Sequence, residues 1–136
     1  MKKTNVPPSE KKTPRSVASR LRVLVVEDEY MIAYHLQNML TELGHEVVGP
    51  VGHVKEALHL VQQETLDAAV LDINIGGEDI FSVVKALDAR RIPFIFVTGY
   101  DGKRLHNAYS ERPILQKPFQ KRDLQAVLRR LPSVKP

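Results

Sequence analysis

Three carboxylates, a hydroxyl and an amine stand in fixed order along the chain, each at the end of an apolar run. They are Glu27-Asp28 after Leu-Arg-Val-Leu-Val-Val, Asp72 in Ala-Val-Leu-Asp-Ile-Asn, Thr98 in Phe-Ile-Phe-Val-Thr-Gly and Lys117 in Pro-Ile-Leu-Gln-Lys-Pro. Carboxylates a few ångströms apart cannot all stay ionised unaided, so either a pKa rises or a cation enters. A hard divalent ion answers that need: magnesium takes oxygen ligands in octahedral geometry, keeps several waters and bridges carboxylates to phosphate oxygens. Asp28 and Asp72 would each supply one ligand oxygen and the backbone carbonyl of Asn74 a third, with Glu27 acting through water. The acids are too few for the usual calcium cage. A carboxylate beside such an ion can also attack an activated phosphoryl group, and Asp72 is the candidate nucleophile. Lys117 and the cation would balance charge on opposite sides of that group, while Thr98 donates its hydroxyl to a phosphoryl oxygen. The Thr98 contact exists only with the phosphoryl group present, so it can draw the following loop inward, with Gly99 free to follow.

The runs that carry these residues read as buried parallel strands, and open α/β sheets put their ligand sites outside the carboxyl ends of such strands. Strands are expected at Leu21–Val26, Glu46–Val51, Asp67–Ile73, Pro93–Thr98 and Ile114–Gln116. Between them, apolar residues recur at helical spacing: Ile32, Leu36, Met39, Leu40 and Leu43 before Gly44, then Val54, Ala57, Leu58 and Val61. A third stripe, Ile80, Val83, Val84 and Leu87, begins near Asp79, and Leu124, Val127, Leu128 and Leu131 close the chain before Pro132. Gly102–Tyr109 offers only Leu105 and Ala108, so a fourth helix there would be short or irregular. Five alternating β/α units imply a flavodoxin-like three-layer αβα sandwich with a five-stranded parallel sheet in order 2-1-3-4-5 and about five helices. In that order Glu27, Asp28 and Asp72 meet at the topological switch point.

Composition narrows the classes. The 136 residues have room for one domain, and 43% hydrophobic content suffices for its core. Without cysteine there is no disulfide, thiol nucleophile or cysteine-bound metal. No apolar stretch reaches membrane-span length and no signal sequence opens the chain, so a cytoplasmic protein without membrane insertion is expected. The net charge of +4 is uneven: residues 1–22 hold seven Lys/Arg against Glu10, and residues 23–136 hold 13 basic against 15 acidic residues. Residues 1–20 are therefore expected to be a basic, disordered tail, either a solvated leader or a contact for nucleic acid or an acidic surface. The domain would span 21–132, with 133–136 a second short tail. His35, His45, His53, His59 and His106 form no metal motif and read as ordinary polar positions.

Over residues 21–132 the chain resembles the receiver domains of bacterial two-component response regulators. The resemblance rests on the acidic pair Glu27-Asp28, the acceptor Asp72, Thr98 and Lys117-Pro118, in the family's order and strand context. It implies a cis peptide between Lys117 and Pro118. Phe96-Val97-Thr98-Gly99 and Asp72-Ile73-Asn74-Ile75-Gly76-Gly77 are similar to a largely alphaproteobacterial, Phe-Ala-Thr-Gly (FATGUY) subclass, whose members are stand-alone receivers or receivers attached to kinases and whose fourth helix is poorly formed. Val97 replaces the alanine of that stretch. Ile114 stands where many receivers carry an aromatic switch residue, which leaves Thr98, Gly99 and Tyr100 as the expected moving part; Tyr100 reads equally as a packing residue. Gly76-Gly77 replaces a usual proline and implies a freer loop.

The resemblance implies a single-domain phosphoacceptor. It would take phosphoryl groups from a sensor histidine kinase or histidine phosphotransfer protein, lose them slowly by itself, and signal to a downstream protein target. It would be a monomer or a weak dimer through the face from the fourth strand to the fifth helix. An aspartyl-phosphate hydrolase of haloacid dehalogenase type would need an acid/base aspartate where Asn74 stands. A phosphorylation-independent binding module has no use for the full set of acids, Thr98 and Lys117. With no DNA-binding helix pair read after Leu131, sequence-specific DNA binding is not expected.

Overall fold

The computed structural model describes residues 20–99 and 112–132. The expected tails up to residue 19 and from 133 to 136, Tyr100 and the weak Gly102–Tyr109 segment all lie outside the described residues. Along the chain run β1 (Arg22–Val26), α1 (Tyr30–Glu42), β2 (Glu46–Val51), α2 (Val54–Gln63), β3 (Ala68–Asp72), β4 (Asn74–Ile75), β5 (Glu78–Asp79), α3 (Phe81–Ala89), β6 (Phe94–Thr98), β7 (Ile114–Gln116) and α4 (Lys121–Arg129). The main sheet is parallel throughout in the order β2-β1-β3-β6-β7. With the small β4-β5 pair set aside, this is the expected 2-1-3-4-5. Four helices lie among the described residues, and the last expected helix is α4.

Period-2 side-chain alternation divides the central strands between two cores. Leu24, Val26, Ala69, Leu71, Phe94 and Phe96 face one side, where Val61 of α2 and Val83 and Leu87 of α3 cover them. Val23, Val25, Ala68, Val70, Ile95 and Val97 face the other, under Leu36 and Leu40 of α1 and Leu124, Val127 and Leu128 of α4. β3 and β6 are buried along their whole length, which explains their uninterrupted apolar sequence.

Two local departures matter for the site. In the β1–β2 pair the register slips, from Leu24 opposite Val48 to Val26 opposite Val51. The extra residue is accommodated at Gly49-Pro50, where Gly49 has φ +95° and an added Cβ would lie 3.0 Å from Val51 N. The Gly49–Pro50 peptide is cis, a feature the sequence reading does not anticipate, and Lys117–Pro118 is cis as the resemblance implies. Beyond the slip the ladder extends one residue further, with Glu27 N–H donating to Val51 O at 2.9 Å.

The second departure corrects the start of the third helix. It begins at Phe81 rather than near Asp79, because Glu78–Asp79 pairs antiparallel with Asn74–Ile75. The Asp79 carboxylate instead accepts the N–H of Phe81 at 2.9 Å, outside the helix it was expected to begin. Among the described residues no helix is long and apolar enough to cross a membrane.

Candidate functional site

Register alone brings the chemical residues together. Val26 pairs with Leu71, so Glu27 and Asp72 emerge side by side at the ends of β1 and β3. Asp72 pairs with Val97 and Thr98 with Gln116, which puts Thr98 and Lys117 at the next two strand ends. The backbone N–H of Lys117 donates to Thr98 O at 2.8 Å, fixing the start of the Lys-Pro turn against β6.

Glu27 and Asp72 are 2% and 5% exposed, and Asp28 beside them faces solvent. One carboxylate oxygen from each of the three lies within 4.8 Å of the others. Lys117 reaches into this group, with Nζ 3.3 Å from Glu27 Oε1 and 3.6 Å from Asp72 Oδ2. Its partners are thus the acids themselves, and it neutralises the cluster from within.

Backbone donors hold the remaining oxygens. Glu29 N–H donates to Glu27 Oε2 at 3.0 Å and Asn74 N–H to Asp72 Oδ1 at 3.1 Å. Both are turns in which a carboxylate captures the amide two residues on, and both orient a carboxylate before any ligand arrives. Glu29 is missed by reasoning from side chains, because its contribution is a main-chain donor. Glu27 Oε1 is fully buried and accepts no hydrogen bond, with the ammonium of Lys117 3.3 Å away.

The open pocket above these groups is lined by Asp28, Glu29, Asp72, Asn74, Gly99 and Lys117, and by Gly76 and Gly77. Gly76 approaches closely, since a Cβ there would lie 3.2 Å from Asp28 Oδ2 at φ +50°. Of the residues expected from sequence, Glu27, Asp28, Asp72, Asn74, Gly99 and Lys117 therefore converge. Thr98 is buried at the β6 end and Tyr100 is outside the described residues.

Burial pushes the Glu27 carboxyl up to about 7 from its ordinary 4.5, and sharing a hydrogen bond with Asp72 adds to the rise. The Glu29 amide and Lys117 pull it down by less. Of the two outcomes expected of crowded carboxylates, the raised pKa is met at Glu27, while Lys117 supplies one positive charge to the cluster.

A family model for the response regulator receiver domain matches residues 23–129. The chain belongs to this family. The receiver resembles the transcriptional regulatory protein PdtaR of Mycobacterium tuberculosis, at 30% identity over 82% of this chain and 57% of PdtaR. It therefore spans about half the length of the curated relatives it matches. Among solved structures it is similar to SdrG from Sphingomonas melonis Fr1, with 40% identity, a TM-score of 0.73 and coverage of 83% and 95% of the two chains. SdrG has also been solved in a BeF3-activated conformation, to which this receiver is similar at 38% identity, a TM-score of 0.67 and coverage of 78% and 95%. The receiver domain of the sensor histidine kinase PA1611 from Pseudomonas aeruginosa PAO1 carries a magnesium ion in its active-site cleft; it matches at 25% identity, a TM-score of 0.67, and 82% and 97% coverage.

The residues of this receiver fit such an ion. The donors are hard oxygens, their spacing lets one small cation lie among them, and Glu27 Oε1 is a buried oxygen that no hydrogen bond reaches. Without metal, the raised pKa of Glu27 has a definite consequence. Between about 4.5 and about 7 the folded state binds more protons at Glu27 than the unfolded chain does. Stability is then greatest at the acidic end of this window and falls as pH rises through about 7. In EDTA, the urea midpoint should drop between pH 5.5 and 8 by the equivalent of about 2 kcal/mol. Glu27→Gln, which carries no charge to bury, should flatten that slope.

Proposed function

We propose that this receiver is a stand-alone phosphoacceptor of a cytoplasmic two-component pathway, accepting on Asp72 a phosphoryl group from a sensor histidine kinase or a histidine phosphotransfer protein. The observation that carries the reading is Asp72 itself. It is a nearly buried carboxylate at a strand end, with an oriented oxygen, two other acids within a cation's reach and an ammonium 3.6 Å away. The match to SdrG, covered over 95% of its length, supports the receiver reading.

In the transfer, an Asp72 carboxylate oxygen attacks phosphorus as the P–N bond of the phosphohistidine breaks, and the imidazole leaves with the bonding electrons. Asp28, Asp72 and the Asn74 carbonyl would hold Mg2+, with Glu27 behind them, and the ion supplies charge neutralisation for the phosphoryl oxygens. Asn74 N–H keeps one carboxylate oxygen in place. Lys117 Nζ, already at the carboxylate, is free to follow the new negative charge. Thr98 would donate its hydroxyl to the same group, next to Gly99 in the pocket lining.

The chain acts as an acceptor rather than a turnover enzyme. Position 74 offers an amide, which cannot relay a proton to water. Incubation with acetyl phosphate should label the protein in Mg2+ and not in EDTA, and equal labelling in both would refute the metal-assisted transfer.

A donor protein must reach Asp72 across the rim of the pocket. There α1 presents Tyr30 (79% exposed), Met31 (70%) and Tyr34 (54%) beside the exposed Asp28. Large exposed apolar side chains, two of which, Tyr30 and Tyr34, line one pocket with Asp28, suit a protein partner. Tyr30→Ala combined with Tyr34→Ala should lower kcat/KM for transfer from a phosphohistidine protein by roughly tenfold or more while leaving acetyl phosphate labelling unchanged. Equal losses with both donors would place the tyrosines in the chemistry rather than in docking. The downstream target would be a protein that reads the Thr98-Gly99 region once Asp72 is modified.

A further inference from the structure

Gly76 and Gly77 form the two-residue turn of the β4–β5 hairpin, at φ +50° and +82°. Positive φ at both central positions is the geometry of a tight hairpin turn, so the glycines close a ladder instead of leaving a free loop. Two residues per strand cannot hold a hairpin by themselves. Ile75, buried in the first core, anchors one strand.

The other strand is anchored by Glu78. Its Oε1 accepts the N–H of Val54, the first residue of α2, at 2.7 Å, and its Oε2 lies 3.6 Å from His53 Nδ1. His53, the N-cap of α2, makes no side-chain cap. A helix start leaves N–H groups without partners, and a carboxylate there is favoured by the helix dipole. The hairpin therefore caps α2 from 24 residues away. At its opposite corner is Asn74, whose N–H holds Asp72 Oδ1.

We propose that Glu78 is a positioning residue for the phosphoacceptor site: by clamping β5 to the start of α2 it fixes β4, and with it the Asn74 amide and carbonyl around Asp72. The part of the inference that concerns metal affinity rests on the magnesium site proposed above; the part that concerns the Asn74 amide does not.

Amide hydrogen exchange in EDTA separates the clamp from simple helix capping. In Glu78→Ala the Val54 amide loses its acceptor in either case. The clamp predicts that the Asn74 amide also exchanges roughly tenfold faster, while core amides such as that of Val70 keep their protection. Glu78→Gln retains an oxygen for Val54 and should restore Asn74 to near the wild-type rate. Glu78→Asp, one methylene too short, should behave like alanine. Titration with Mg2+ alone should show a roughly fivefold weaker Kd for Glu78→Ala and a value within about twofold of wild type for Glu78→Gln. An Asn74 rate unchanged in Glu78→Ala, or equally raised in Glu78→Gln, would overturn the proposal. Failure of the wild-type protein to bind Mg2+ would instead defeat the metal reading, with the Asn74 exchange still deciding the clamp.

Discussion

Replacing Asp72 by asparagine should reduce Mg2+-dependent labelling by acetyl phosphate to the level of the protein-free control. An amide oxygen is too weak a nucleophile to form the acyl phosphate, whereas the shape of the side chain and its capture of the Asn74 amide are preserved. The variant should fold normally. In the metal-free protein it should also bring Glu27 back toward its ordinary pKa, since hydrogen bonding to Asp72 and the charge of Asp72 both raise that value. A 13C-NMR titration of the Glu27 carboxyl reads this directly. Residual labelling close to wild type would move the acceptor elsewhere.

Lys117→Met is expected to have the second-largest effect. Its Nζ stands between two nearly buried carboxylates, so the substitution removes the only ammonium found in the cluster among the described residues. Labelling by acetyl phosphate should fall about 100-fold, the scale typical of deleting one group that stabilises transition-state charge. Metal-free stability should also fall, on the order of 2 kcal/mol at pH 8, less than for a fully buried pair because the Lys117 side chain is 17% exposed. At pH 6 the loss should be smaller, because Glu27 with its pKa pushed up to about 7 is then largely protonated and needs no counter-ion. Urea midpoints at the two pH values check the sign.

Much of the site is legible in the sequence because parallel sheets translate strand ends into neighbours. Once Glu27, Asp72, Thr98 and Lys117 each stand at or just past the end of a parallel strand, the order β2-β1-β3-β6-β7 brings them to one edge without further information, although β7 buries only Leu115 of its three residues. What sequence leaves open is whether side chains at that edge pair with one another or only face a ligand. Lys117 reads as a counter-charge for a phosphoryl group, yet in the structure it bridges Glu27 and Asp72, a matter of side-chain reach that residue type does not encode.

The β4–β5 hairpin is missed for a different reason. Ile80, Val83, Val84 and Leu87 share a helical period, and Ile80 alone extends the pattern toward Asp79, although it is the N-cap of α3 and lies outside the helix. The signal was present in Gly76-Gly77 between Ile75 and Glu78, a two-residue turn pattern, but strands of two residues have no periodicity to support it. The role of Glu78 depends on contact with a helix start 24 positions earlier, which no local pattern contains.

The most direct measurement is the chemical location of the phosphoryl group. The wild-type protein labelled by acetyl phosphate in Mg2+ should be reduced with borohydride, which converts an aspartyl acyl phosphate to homoserine, and then digested and mapped by mass spectrometry. Homoserine at position 72, and at no other aspartate, is the predicted result. Homoserine at Asp28, label retained on a histidine, or labelling that survives EDTA would contradict Asp72 as the metal-assisted phosphoacceptor.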